Sequence, residues 1–185
     1  MVRTRIHLGL LAVFSRLPRR ARRQIVRIVA PTFSAGAMCF IERDDGRILL
    51  VRHPYRKHWG VPGGLLDRGE DAADGGRREV LEEVGLVIDL VGEPSVQVDA
   101  EARRIDVVFR ARPVADADPD QARPISPEIA ETAWRSLDDL PPLQFETRGA
   151  LALLARVQSG GSADEAGLVD LSALASVAPR PGSRW

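Results

Sequence analysis

Glu79, Glu82 and Glu83 stand at i, i+3 and i+4 of one short segment, and at about 100° per residue a helix brings all three within roughly one third of its circumference. Left bare, such a patch costs about 0.2 to 0.5 kcal/mol for each like-charged pair. A divalent cation reverses that sign, and Mg2+, hard and oxygen-seeking, suits carboxylate donors. Arg78 lies four residues before Glu82, within reach to pair with it and hold its carboxylate in one orientation, as a metal ligand requires. Glutamate and arginine on a helix also make ordinary solvated faces, so the trio by itself leaves both a metal site and a charged surface open.

Chemistry of that kind needs the helix held against a scaffold. Asp71 to Val84 reads as the helix, with Gly85 as its C-cap, and the preceding Trp59-Gly60-Val61-Pro62-Gly63-Gly64 reads as a loop. Upstream, Ala35 to Ile41 reads as a buried strand, Asp44-Asp45-Gly46 as a turn and Arg47 to Arg52 as a second strand, together a hairpin. Downstream, strands are expected at Val87 to Val91, Val96 to Asp99 and Ile105 to Ala111. A polar, proline-containing loop over 116–127 then leads to a short strand, Thr132 to Ser136, and a closing helix, Phe145 to Val157. Strands before, between and after helices predict a mixed α/β layer fold. Gly75 and Gly76 fall inside the carboxylate helix, each at a cost of about 1 kcal/mol relative to alanine. Close approach of helix to sheet accounts for them, and Gly75→Ala is expected to be neutral or stabilising.

The spacing of the whole segment is more specific than the trio. It runs Gly64, five residues, Glu70, seven residues, Arg78-Glu79-Val80, one residue, Glu82-Glu83, one residue, Gly85-Leu86, with Trp59 and Pro62-Gly63 upstream. This resembles the Nudix box, with the expected residue type at every defining position. The resemblance implies the Nudix fold, an α/β/α sandwich around a mixed β-sheet, over residues 31–158. It also implies hydrolysis of a diphosphate bond in a nucleotide, or in a nucleoside diphosphate linked to another group, assisted by Mg2+ or Mn2+. By motif position, Glu79, Glu82 and Glu83 are implied as metal ligands, Glu70 as a supporting carboxylate at the metal and Arg78 as the residue orienting Glu82. Gly63, Gly64 and Gly85 serve the backbone, the first two beside the substrate. Gly75 and Gly76 depart from the small alanines usual there. The chemistry agrees with the physics, since metal ions neutralise an anionic diphosphate and lower the pKa of a bound water, while a glutamate takes the proton.

That glutamate comes either from the helix, where Glu79 and Glu82 are candidates, or from a downstream loop. Glu131 as base and Glu128 at the substrate fall in the segment Ser126 to Trp134, and surface loop charge is the alternative reading for both. For the substrate, Arg52, Arg56 and His58 approach the box and can meet phosphates. Trp59, Phe109, Trp134 and the one tyrosine, Tyr55, can stack on a base at about 1 to 3 kcal/mol each, although core or surface packing is the favoured reading of each. Neither the proline associated with ADP-ribose hydrolases nor the tyrosine associated with dinucleoside polyphosphate hydrolases stands at its usual distance after Leu86. The CoA and NADH pyrophosphatase signatures are also missing. Three functions remain in view: a pyrophosphohydrolase, a binding module that senses a nucleotide without cleaving it, and an RNA 5′-end hydrolase. A sensor has no need of an intact glutamate trio.

The composition bounds the rest. A 185-residue chain with 44% apolar residues is long enough for one well-buried domain. The single Cys39 excludes an internal disulfide and a cysteine metal site, which favours a reducing, cytoplasmic setting. No apolar stretch approaches the roughly 20 residues that span a bilayer. The zero formal charge hides an asymmetry, because residues 1–30 hold eight arginines and no acid, leaving the remainder acidic. This extension reads as two short amphipathic helices broken at Pro18. It is expected to dock on the acidic body of its own or a partner subunit, as in a homodimer. Peripheral contact with an anionic membrane is the next reading, and nucleic acid binding is the least favoured. Residues 159–185 read as a mobile tail.

Overall fold

The computed structural model describes residues 14–30 and 32–160, and the chain divides into two compact units, Met1–Phe33 and Ser34–Trp185. The start of the arginine-rich extension and the tail beyond residue 160 lie outside the described residues. In the first unit, residues 14–16 are helical, Pro18 marks the expected break, and α1 (Arg19–Val29) follows. The Pro18 carbonyl accepts from the Arg22 N–H at 3.1 Å, so the proline begins the helix, where its missing N–H costs nothing.

The second unit is built on β1 (Ser34–Ile41), β2 (Ile48–Arg52), β3 (Gly63–Leu65), α2 (Ala72–Val84), β4 (Ile88–Asp99), β5 (Arg104–Pro113), β6 (Glu131–Arg135) and α3 (Phe145–Gly160). A four-stranded sheet runs β3-β1-β5-β4, with β1 parallel to β5 and the other pairs antiparallel. A two-stranded sheet pairs β2 with β6. Successive side chains of a strand point to opposite faces, and β1 shows the result. Ala37, Cys39 and Ile41 pack with Val80 and Val84 of α2, whereas Met38 and Phe40 pack with Ala150, Leu151 and Leu154 of α3. Leu49 and Val51 of β2 join the first cluster, Ile48 and Leu50 the second. Burial on both faces makes β1 and β2 continuous apolar runs, and the α/β/α order of the resemblance is the observed one.

Two expectations need correction. The turn at Asp44-Asp45-Gly46 exists, but β1 and β2 share only the isolated bridge Glu42↔Ile48. Both edges of β1 are taken by β3 and β5, so β2 finds its partner in β6 and no hairpin forms. The two strands expected over Val87 to Asp99 are one strand, β4, with an irregularity between Val91 and Ser95. Gly92 at φ 70° and Pro94, which has no N–H to donate, sit within that irregularity. Among the described residues no helix is long and apolar enough to cross a membrane.

Candidate active site

Helix α2 is capped at both ends by the residues its sequence supplies. Asp71 accepts from the Ala73 N–H at 2.9 Å, and Gly85, at φ 70°, turns the chain out in a left-handed conformation that costs glycine nothing. Its inner face presses on β1, where a Cβ added to Gly76 would stand 3.0 Å from Cys39 Sγ. Burial pushes the Cys39 thiol up to about 12, so it packs as a small neutral side chain. On the other side of β1, Gly63 and Gly64 pair with Met38 and Ala37. Gly63 stands at φ 144°, against the Ala37 carbonyl, a conformation and a clearance that only glycine meets. A Cβ on Gly64 would lie 2.5 Å from the Glu79 carboxylate, so this glycine makes the room Glu79 occupies.

The acids of α2 are tied in two places. Glu83, buried at 5% exposure, accepts from the Gly63 N–H at 3.0 Å. Burial pushes it up to about 8 against that hydrogen bond, with Glu79, Glu128 and Glu82 adding their repulsion. Glu79 is also raised, first by burial, with Arg78 opposing. Arg78 is the second tie. Its Nε and Nη2 grip the two oxygens of Glu70 at 2.7 and 2.9 Å, and Nη2 also reaches the Leu65 carbonyl at 3.2 Å. Its Nη1 bridges Glu79 and Glu82 at 3.0 and 3.1 Å. Arg78 holds the Glu70 carboxylate down at about 2, helped by the Asp67 N–H.

A cavity of about 500 Å³ opens beside these groups, a size that suits a small-molecule ligand. Glu79, Glu82, Glu83, Glu128, Gly63 and Gly64 line it together. Glu70 and Arg78 are not among its lining residues, and both oxygens of Glu70 are held by Arg78. Glu131 is also elsewhere, because the register of β6 on β2 sets it opposite Arg52, with which it forms an ion pair. That pairing accounts for both residues. Trp59 packs against the second core cluster with the Arg52 guanidinium 6.0 Å from its ring, and Phe109, 6% exposed, belongs to the first cluster. Neither lines the cavity, and both pack against the core clusters.

Of the residues that sequence reasoning raised only in passing, Tyr55 and Arg56 line the cavity. Tyr55 stacks on His53 with ring centroids 5.3 Å apart, and His53 Nδ1 stands 2.9 Å from the Glu128 carbonyl, which ties this stack to the Glu128 loop. Arg104, Gln144, Glu146 and Thr147 also line the cavity and were not read as site residues. They come from β5 and the start of α3, and nothing local in their sequence marks them.

Among the described residues no three acid, histidine or cysteine side chains are gathered as a ready cation cage. Arg78 is the physical reason, since it draws Glu79 and Glu82 to its own Nη1. The donor set nonetheless fits a hard divalent ion, since its candidate ligands are all carboxylate oxygens, and Glu83 is buried with the neutral Gly63 N–H as its hydrogen-bond partner.

Comparison with known proteins agrees with this geometry. The model of the NUDIX domain matches residues 32–155. A MutT-like protein of Streptomyces ambofaciens is 27% identical over 131 residues, covering 71% of this chain and 81% of its own length. An NAD-capped RNA hydrolase of Vibrio cholerae is 28% identical over 126 residues, or 67% of this chain, which spans only 45% of that protein. Among solved structures, a MutT NUDIX hydrolase of Burkholderia pseudomallei superposes with a TM-score of 0.53 at 32% identity, over 67% of this chain and 99% of its own. With the domain matched across both sheets and the carboxylate helix, the chain belongs to the NUDIX family of hydrolases, which act on nucleoside diphosphate-linked substrates.

Proposed function

We propose that this chain hydrolyses a diphosphate bond in a nucleotide, or in a nucleoside diphosphate linked to another group, with Mg2+ (or Mn2+) held by Glu79, Glu82 and Glu83. The observation that carries the reading is the convergence of those three acids and Glu128 on one cavity. A divalent ion held by these acids would neutralise the diphosphate and would lower the pKa of a bound water. Glu83 is fixed by the Gly63 N–H, so the loop and the helix hold one ligand between them. Gly64 leaves the space in which Glu79 turns toward the cavity. Arg78 limits the swing of Glu79 and Glu82, a positioning role that Glu70 supports by bracing the guanidinium from behind. Glu128 takes the proton from the attacking water, because Glu131 is engaged by Arg52 and Glu128 lines the cavity. Tyr55, 70% exposed and backed by His53, is the aromatic placed to stack on a base.

The test is a substrate panel of nucleoside triphosphates, oxidised nucleotides, ADP-ribose, nucleotide sugars and capped RNA, with Mg2+ or EDTA, against wild type and Glu82→Gln. Cleavage that disappears with EDTA and falls at least about a hundredfold in Glu82→Gln is expected. Cleavage unaffected by either change overturns the metal assignment. Tight binding without cleavage replaces the hydrolase by a nucleotide sensor. The likeness to an NAD-capped RNA hydrolase is the reason capped RNA stands in the panel.

A further inference from the structure

Away from the carboxylate helix, the cavity carries a cation built into the sheet. Arg104 opens β5 and lines the cavity, and its Nε donates to both oxygens of Asp106 at 2.8 and 2.9 Å. Asp106 is 2% exposed, so the anchor is a buried acid on a core strand, and such an anchor fixes the guanidinium far better than a surface pair does. Gly36 of β1 pairs with Asp106 on one side and Leu65 on the other. A Cβ at Gly36 would stand 2.5 Å from Asp106 Oδ1, 2.7 Å from the Gly64 carbonyl and 2.9 Å from Arg104 Nη2. One absent side chain thus lets the buried acid, the end of the arginine fork and the glycine loop of the diphosphate site meet at one place. Among the described residues, hydrogen bonds engage the Arg104 guanidinium only through Nε, and the residue lines the cavity. The other cavity arginine, Arg56, is engaged by Glu146 at 3.4 Å.

We infer that Arg104 docks an anionic group of the substrate beyond the scissile diphosphate, and that Asp106 and Gly36 hold it there. The substrate then carries a further phosphate, terminal or on a sugar, and is preferred over a nucleoside diphosphate linked to an uncharged group. This rests on the hydrolase reading above. A planar fork fixed through Nε offers its two outer nitrogens to phosphate oxygens, a geometry that lysine cannot copy.

The experiment compares a nucleoside triphosphate with a nucleoside diphosphate hexose in wild type, Arg104→Lys, Arg104→Gln and the double variant Arg104→Gln/Asp106→Asn. The double variant removes the acid that a single change would leave buried without its cation. Turnover gives KM and kcat, and calorimetry with methylene-bridged analogues gives Kd whether or not turnover occurs. Loss of Arg104 is expected to raise KM and Kd for the triphosphate about ten- to a hundredfold, with kcat and the hexose values little changed and partial recovery in Arg104→Lys. Equal losses for both ligands, or none, overturn the role of Arg104. If wild type binds the analogues with this preference but cleaves neither these substrates nor any other member of the panel above, the hydrolase reading fails and the docking role stands.

Discussion

Arg78 sits at the junction of four acceptors, and its replacement separates orientation from charge. Lysine keeps the positive charge but cannot hold both oxygens of Glu70 while bridging Glu79 and Glu82. Arg78→Lys is expected to cost about 1 to 2 kcal/mol in stability, discounted for its partial exposure, and to lower kcat more than the melting temperature alone explains. Thermal denaturation beside steady-state kinetics checks this, and an unchanged kcat would remove the orienting role. Residues of this kind are legible in sequence to different degrees. Glu79, Glu82 and Glu83 can be read because helical periodicity alone puts them on one face. Glu128 and Glu131 cannot be told apart in the same way, since which of them lines the cavity depends on the register of β6 against β2, a contact between segments far apart in the chain. Arg104 is invisible for the same reason, because its meaning lies in Gly36 on another strand.

At the scale of elements, the glycines of α2 show where a local rule meets its limit. Helix propensity favours Gly75→Ala by about 1 kcal/mol, and the sequence alone supports a neutral or stabilising change. In the structure the added methyl meets Leu66 Cδ2 inside van der Waals contact, and Glu70 Oε2 at 3.0 Å. Leu66 packs on the first core cluster, so its displacement costs packing as well, and Glu70 is pinned by Arg78. Gly75→Ala is therefore expected to lower stability by about 1 to 3 kcal/mol. Adding Leu66→Ala vacates the clash, and a melting-temperature cycle over both sites should show favourable coupling between the substitutions. The end of α2 was legible because Gly85 is a strong cap, whereas the pairing of β1 and β2 was not. A tight turn between two apolar runs signals a hairpin only when neither strand has a better partner.

For the whole molecule, the core clusters of the Ser34–Trp185 unit include no described residue before Ala37. A chain lacking residues 1–30 is expected to keep cooperative unfolding, with a lower melting temperature or altered assembly measuring the docking proposed for the arginine-rich segment. Calorimetry and sedimentation read both, and values identical to the full chain would remove that docking. A mixed α/β layer fold was legible from the order of strands and helices and the α/β/α order only through the family resemblance, while the division into two sheets was not legible, since long-range pairing leaves no local trace. The same pairing has a consequence during synthesis. Ser34 to Ile41 emerges from the ribosome well before its parallel partner, Arg104 to Ala111, and before β3 on its other edge. An apolar strand with both edges open is a template for pairing with another nascent chain. The interval between translating β1 and translating β5 thus leaves this strand open to pairing with other chains, and slower elongation between them would lengthen it.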